Sequence, residues 1–237
     1  MKKFSILNFS LLVVVVAFCV SCGQLFSNLF VGCGVLSTSS VFVDGQTFFA
    51  ISTNKFDTLV EAEKFSAEEQ KNSNAGFVYE FDNHFYVLSS AYENKADAEK
   101  VLNTIQSKSA EIIKIELPRQ KFEGEFTSQE KEILSTCLKE DFQIFKLLYN
   151  IAISLDTKVT NDSEAKIECN EIYSTHINNQ ANFETISSQK DLDLNSIKTN
   201  LEKNGEILNE LISEKTENTN QTLSSLIKYT YLKILLK

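Results

Sequence analysis

An α+β fold is what this sequence predicts: a small βαββαβ sheet domain, then an all-α region, with a membrane segment at the N-terminus. An internal duplication, helical periodicity in the C-terminal half and an apolar leader carry that expectation. The duplication is the most informative. Residues 49–64 read FAISTNKFDTLVEAEK and residues 85–100 read FYVLSSAYENKADAEK, an ungapped offset of 36 residues from Phe49 to Phe85. Phe56 falls on Tyr92, and Ala62, Glu63 and Lys64 fall on Ala98, Glu99 and Lys100. The same offset carries FVYEF at 77–81 onto IKIEL at 113–117. Each half reads strand, helix, strand.

The elements follow in order. Residues 48–53 alternate and are rich in aromatic and β-type side chains, which predicts a strand. Residues 58–71 place Leu59, Ala62, Phe65 and Glu69 at helical spacing. Residues 76–81 are the next strand, and Asp82-Asn83 is a turn signal that joins it to a strand at 85–90 as a hairpin. Residues 95–107 form the second helix, with Ala98, Val101, Leu102 and Ile105 inward, and 111–117 close the set. Right-handed crossovers in each half give a ferredoxin-like or ribonucleoprotein-like sheet.

Alternation divides the strands into two faces. Phe49, Ile51, Phe77, Tyr79, Phe81, Phe85, Val87, Ile113, Ile115 and Leu117 are expected to meet the two helices. Phe48, Ala50, Ser52, Val78, Glu80, Tyr86, Leu88, Lys114 and Glu116 are expected on the other face. With both helices on one side, that second face stays open unless another element covers it.

The chain divides as 1–36 (signal anchor or lipoprotein signal), 37–46 (Ser/Thr linker), 47–117 (repeat domain), 118–126 (connector) and 127–237 (helical region). In the last part, Thr127-Ser128-Gln129-Glu130 is a capping box. A helical stripe follows from Ile133 to Leu155, and Asn161-Asp162-Ser163 reads as a second cap. Further helices fit residues 192–213 and 223–236, which predicts a small bundle. The basic amphipathic end, with Lys228, Lys233 and Lys237, reads as a terminal bundle helix or as a contact for an anionic membrane.

At the N-terminus, Lys2 and Lys3 precede an apolar run, and no charge occurs between Lys3 and Asp44. A stretch of roughly 20 apolar residues is enough to span a bilayer, and lysines on its short side hold that end in the cytoplasm. The expectation is a membrane protein, single-pass or lipid-anchored, with its bulk extracytoplasmic. A signal anchor, a lipoprotein signal with acylatable Cys22 in Val20-Ser21-Cys22-Gly23, and a cleaved signal peptide all fit.

Composition narrows function. The net charge is −9, the pI is near 4.9 and Arg119 is the only arginine, so nucleic acid is not an expected partner. Of the five cysteines, Cys19, Cys22 and Cys33 lie in the leader. Cys137 and Cys169 read as small buried apolar residues, with a disulfide between them as the alternative. His84 and His176 are the only histidines and neither sits in a ligand motif, so no metal or other cofactor is expected. No nucleophile motif is present, so the chain is read as not an enzyme.

The repeat resembles a SPOR domain, the sporulation-related repeat of bacterial envelope proteins. The matching frame is Ala50-Ile51-Ser52-Thr53-Asn54-Lys55-Phe56 with Ala62, and Phe85-Tyr86-Val87-Leu88-Ser89-Ser90-Ala91-Tyr92 with Ala98, together with residues 75–79. The resemblance implies a βαββαβ fold and non-catalytic binding of peptidoglycan glycan strands by a membrane-anchored protein, with a link to cell division or sporulation. It also implies that the membrane is a bacterial cell membrane. Envelope or division proteins would be further partners. By position, the glycan contacts would be Phe48, Ala50, Ser52, Val78, Glu80, Tyr86 and Leu88. The alternative is a protein-interaction scaffold, in which the same sheet face docks helices or a partner and Tyr86 and Leu88 are buried.

Overall fold

A computed structural model describes residues 37–105, 109–187, 194–213 and 221–237. The leader, with Cys19, Cys22 and Cys33, lies outside the described residues. The protein is mixed α+β, with a small antiparallel sheet and a helical region. Its strands are β1 (Ser37–Val43), β2 (Gln46–Phe56), β3 (Phe77–Phe81), β4 (His84–Tyr92), β5 (Glu111–Leu117) and β6 (Gln120–Phe126). Its helices are α1 (Leu59–Lys71), α2 (Lys95–Leu102), α3 (Ser128–Leu138), α4 (Glu140–Asp156), α5 (Asp162–Ser187), α6 (Asn195–Ser213) and α7 (Leu223–Leu236).

The main sheet has strand order β3-β4-β2-β5, antiparallel throughout. The two repeats therefore supply the central pair, β4 and β2, and one outer strand each. Thr58 caps α1 by accepting the Glu61 N–H, and the Thr127/Glu130 capping box starts α3. The stripe from Ile133 to Leu155 is two helices that meet at Lys139, not one. Asn161 accepts the N–H groups of Ser163 and Glu164 at the start of α5.

The expected linker and connector are strands. β1 pairs with β6 from Val43↔Gln120 to Ser37↔Phe126, while β2 pairs with β5 from Gln46↔Leu117 onward. Both ladders keep one register, so the ribbon continues the β2–β5 pair. The break falls at Asp44-Gly45 opposite Pro118-Arg119. Pro118 has no N–H to give a ladder, and a Cβ on Gly45 would lie 2.9 Å from the Leu117 carbonyl oxygen. Val41 and Phe126 from this ribbon join Leu134, Phe183, Ile197 and Leu201 in a second core.

The expected face assignment is half right. Phe49, Ile51, Phe85 and Val87 do not belong with the odd-numbered residues of β3 and β5. The two-residue turn pairs Phe81 with His84, so Tyr79 lies opposite Tyr86 and Phe77 opposite Leu88. Directly opposed residues share a face. Likewise Ile115 lies opposite Phe48 and Ile113 opposite Ala50. Phe77, Tyr79, Ile113, Ile115 and Leu117 therefore sit on the face of Phe48, Ala50, Tyr86 and Leu88.

That face is not open. α4 and α7 cover it, and it is the main core: Phe48, Ala50, Leu88 and Ala91 are fully buried with Phe145, Leu148, Ile227 and Tyr231. Phe48 meets Phe145 edge-on with ring centroids 4.7 Å apart. The α1/α2 layer on the opposite face is thinner and leaves Leu59, Val60 and Val101 exposed. Phe48→Ala should accordingly lower unfolding free energy by about 3–5 kcal/mol. Phe49→Ala, on the thinner layer and half-buried, should cost clearly less; urea unfolding of both variants measures the difference.

Candidate functional site at the sheet–helix seam

The centre of the sheet carries a matched pair of irregularities. The β2–β4 register shifts around Ser52, passing over Thr53 on β2 and Ser89 on β4. Thr53 and Ser89 are equivalent under the 36-residue repeat. The Thr53 hydroxyl donates to the Val87 carbonyl at 3.2 Å, and the Ser89 hydroxyl donates to the Ile51 carbonyl at 3.3 Å. Val87 and Ile51 are themselves repeat equivalents, so the two bonds are reciprocal. Each hydroxyl is buried and returns a bond that the bulge takes from the ladder.

The symmetry ends two residues later. The Lys55 N–H donates to the carboxamide oxygen of its own neighbour, Asn54, at 2.9 Å. The equivalent Ala91 N–H donates instead to the Tyr231 hydroxyl of α7, at 3.3 Å. Farther along α7, the Ser225 hydroxyl donates to the Asn74 carbonyl at 2.6 Å. The Lys228 ammonium donates to the Ser73 carbonyl at 2.8 Å and pairs with Asp156 of α4 at 2.5 Å. Ser73 has a positive φ of 62°, so α7 is fastened to a strained turn between α1 and β3.

A cleft of about 470 Å³ opens at this seam, in the size range of small-molecule sites. Thr53, Ser90, Tyr92, Tyr149, Asp156 and Tyr231 give it hydroxyl, carboxylate and aromatic groups. Tyr92 and Tyr149 meet edge-on at 5.8 Å. Burial raises all three phenols: Tyr92 above its ordinary value, Tyr149 to about 12 and Tyr231 well above 10.0. They are neutral hydrogen-bonding groups at neutral pH. What the cleft offers is binding, through ring faces and hydroxyls.

The seven positions read as glycan contacts are not assembled into an accessible site. Phe48, Ala50, Ser52 and Leu88 are fully buried and Tyr86 is 7% exposed. The Ser52 hydroxyl donates to the Asn54 carbonyl at 2.8 Å. Only Val78, half-buried, and Glu80, exposed, reach solvent, and both lie on β3. The cause is the C-terminal helices, whose periodicity was legible while their destination was not. Among the described residues, no helix is long and apolar enough to cross a membrane. Cys22 lies outside them. Cys137 and Cys169 are free and buried, and burial pushes both thiols up to about 12.

A second polar cluster, unforeseen in the sequence, joins four helices. The His176 Nδ1 lies 3.0 Å from the Glu140 carboxylate, which also accepts from Asn179 and Asn204. Asn204 and Asn200 donate to Asp141, and Lys237 pairs with Asp141 at 3.1 Å. Burial lowers the Lys237 ammonium, while Asp141 opposes that shift. Among the described residues His176 Nε2 has no hydrogen-bond partner, and a Cβ on Gly205 would lie 2.9 Å from it. The ring is packed against the α6 backbone, so the carboxylate–imidazole pair fastens helices together.

No family model, curated protein or solved structure matches this chain.

Three outcomes follow from this geometry. Tyr231→Phe leaves the buried Ala91 N–H without an acceptor and should lower stability by about 1–3 kcal/mol in urea unfolding. Gly205→Ala, which gains about 1 kcal/mol in an ordinary helix interior, should here lower the melting temperature because the added Cβ strikes His176. The raised phenols bind protons more tightly folded than unfolded, so stability should hold up to about pH 10 and fall as the pH approaches 12. Thermal melts followed alongside tyrosinate absorbance test that sign.

Proposed function

We propose that this chain is a non-catalytic, membrane-anchored envelope protein that acts as an interaction scaffold, with its sheet face docking its own helices. The observation that carries this reading is the burial of Tyr86 and Leu88 under α4 and α7. An apolar sheet face is a poor platform for a polar polymer and a good one for amphipathic helices. The leader supports the anchor: its lysines and long apolar run favour a topology with the bulk of the chain outside the cytoplasm. Residues 47–117 are taken as a SPOR-type unit in the ferredoxin-like class, supported by the order β3-β4-β2-β5 and the repeat-related bulges.

A second reading, binding of peptidoglycan glycan strands, is favoured by the seam cleft. A sugar ring presents apolar faces and a rim of hydroxyls. Tyr92 and Tyr149 match the faces, and Ser90, Thr53 and Asp156 match the rim.

Retention of the full chain, in detergent micelles, on purified sacculi separates the two readings. Sacculi are compared before and after an amidase strips their stem peptides. The scaffold reading expects equal, low retention on both. Retention several-fold higher on stripped sacculi, lost in Tyr149→Ala, replaces it with the glycan reading.

A further inference from the structure

We propose that the free edge of β3 receives an extended, basic peptide from a partner protein, which adds to the sheet as a fifth strand. This names a partner class for the interaction role proposed above and rests on that reading.

The edge is defined by the hairpin. Asp82 and Asn83, at φ 51° and 57°, make the two-residue turn that matches strand twist. Residues flanking such a turn exchange both backbone bonds, and every second pair does so thereafter. Phe81↔His84, Tyr79↔Tyr86 and Phe77↔Leu88 are then the bonded pairs. The N–H and C=O groups of Val78 and Glu80 point away from β4, and no described strand pairs with that side. The next outward carbonyl, that of Gly76, is already taken by the Ser66 hydroxyl of α1.

A groove of about 560 Å³ runs beside this edge, with α1 on one side and α6 and α7 on the other. Glu63 and Gln70 stand on the α1 wall, and Leu211 and Tyr229 on the opposite wall. Walls on both sides suit one extended chain rather than the sheet edge of a second copy. Charge selects the occupant. Among the described residues, Glu63 and Glu80 have no ion-pair partner, whereas the groove's Lys233 is held by Glu210 at 2.5 Å. The opposite sheet edge is defended. β5 carries the Lys114–Glu116 ion pair and runs into Pro118, devices that discourage strand addition. Strand addition gains affinity from main-chain bonds and selectivity from alternate side chains. The expected ligand therefore alternates apolar residues with lysine or arginine.

The test uses the full chain in detergent micelles and a fluorescein-labelled heptapeptide, Lys-Val-Thr-Val-Lys-Val-Thr. A twin N-methylated at alternate residues and a twin with glutamate in place of lysine are the controls. The expected result is binding of the parent peptide with slowing of amide exchange at Val78 and Glu80 by about tenfold or more. Both twins should bind at least about tenfold more weakly. Val78→Pro and Glu80→Pro should abolish binding, since an edge strand tolerates proline where its N–H faces outward. Should either variant fail to fold, the N-methylated twin reads the same bond on the unaltered protein. No binding, equal binding of the N-methylated twin, or protection confined to other amides overturns the proposal. Such a failure leaves the sheet-docking reading standing, because retention on sacculi decides that one separately.

Discussion

The bond from the Ala91 N–H to the Tyr231 hydroxyl joins the two parts of this molecule at the point where its internal symmetry breaks. Up to that point the two repeats match in their backbone course. They bulge at equivalent residues, exchange equivalent hydroxyl–carbonyl bonds and contribute equivalent strands. The first repeat then closes on itself, through Asn54 to Lys55. The second leaves its donor for α7. A buried N–H without a partner is costly, so the β4 strand requires a hydroxyl at that place. Tyr231 supplies it while its ring packs edge-on against Phe145 at 5.2 Å. One side chain thus satisfies the sheet and fills the core.

From this contact the layering follows. α7 lies on the sheet beside α4, and Phe48, Tyr86 and Leu88 become interior. Ser225 and Lys228, on the same helix, hold the α1–β3 turn through the carbonyls of Asn74 and Ser73. α5 and α6 close over α4 through Glu140, Asp141, His176 and Asn204. A repeat domain and a helical region distinct in sequence therefore share one core.

Much of this was legible. The duplication located six elements, and the caps at Thr127 and Asn161 are where the side-chain chemistry put them. Face parity went wrong for a definite reason. The offset of 36 relates β2 to β4 and β3 to β5, but says nothing about how β3 sits against β4. That relation comes from the turn. Two residues at Asp82-Asn83 pair an odd residue with an even one, so Phe77 and Tyr79 share a face with Leu88 and Tyr86. The turn was visible and its consequence was computable. The β1–β6 ribbon was visible too, in the alternation of Val41 and Val43 and of Phe122 and Phe126, but proline and serine disguised it as linker. The Glu140–His176 cluster was not visible. It joins residues 36 apart on separate helices, and no local pattern encodes that approach.

A duplicated βαβ sheet begins with two equivalent edges and with both of its own helices on one face, and this one has made the edges unequal and covered the open face. One face carries the thin α1/α2 layer and the other a full helical layer, so the face best suited to a ligand is closed by the chain itself. One edge ends in an ion pair and a proline; the other leaves the outward backbone groups of Val78 and Glu80 unpaired with any described strand, with Val78 lining a groove. The residues that keep the sheet together are shared by both repeats: Thr53 and Ser89, Ala62 and Ala98. Those that give each surface its character are not: Asn54 against Ser90, Lys55 against Ala91, Ser52 against Leu88. Of the last pair, Leu88 is the apolar member, and it lies beneath the docked helices in the main core. The duplication thus preserves architecture while its divergence assigns surfaces. A function for this chain is to be sought where the two halves differ, at the seam beside Tyr231 and along the edge of β3.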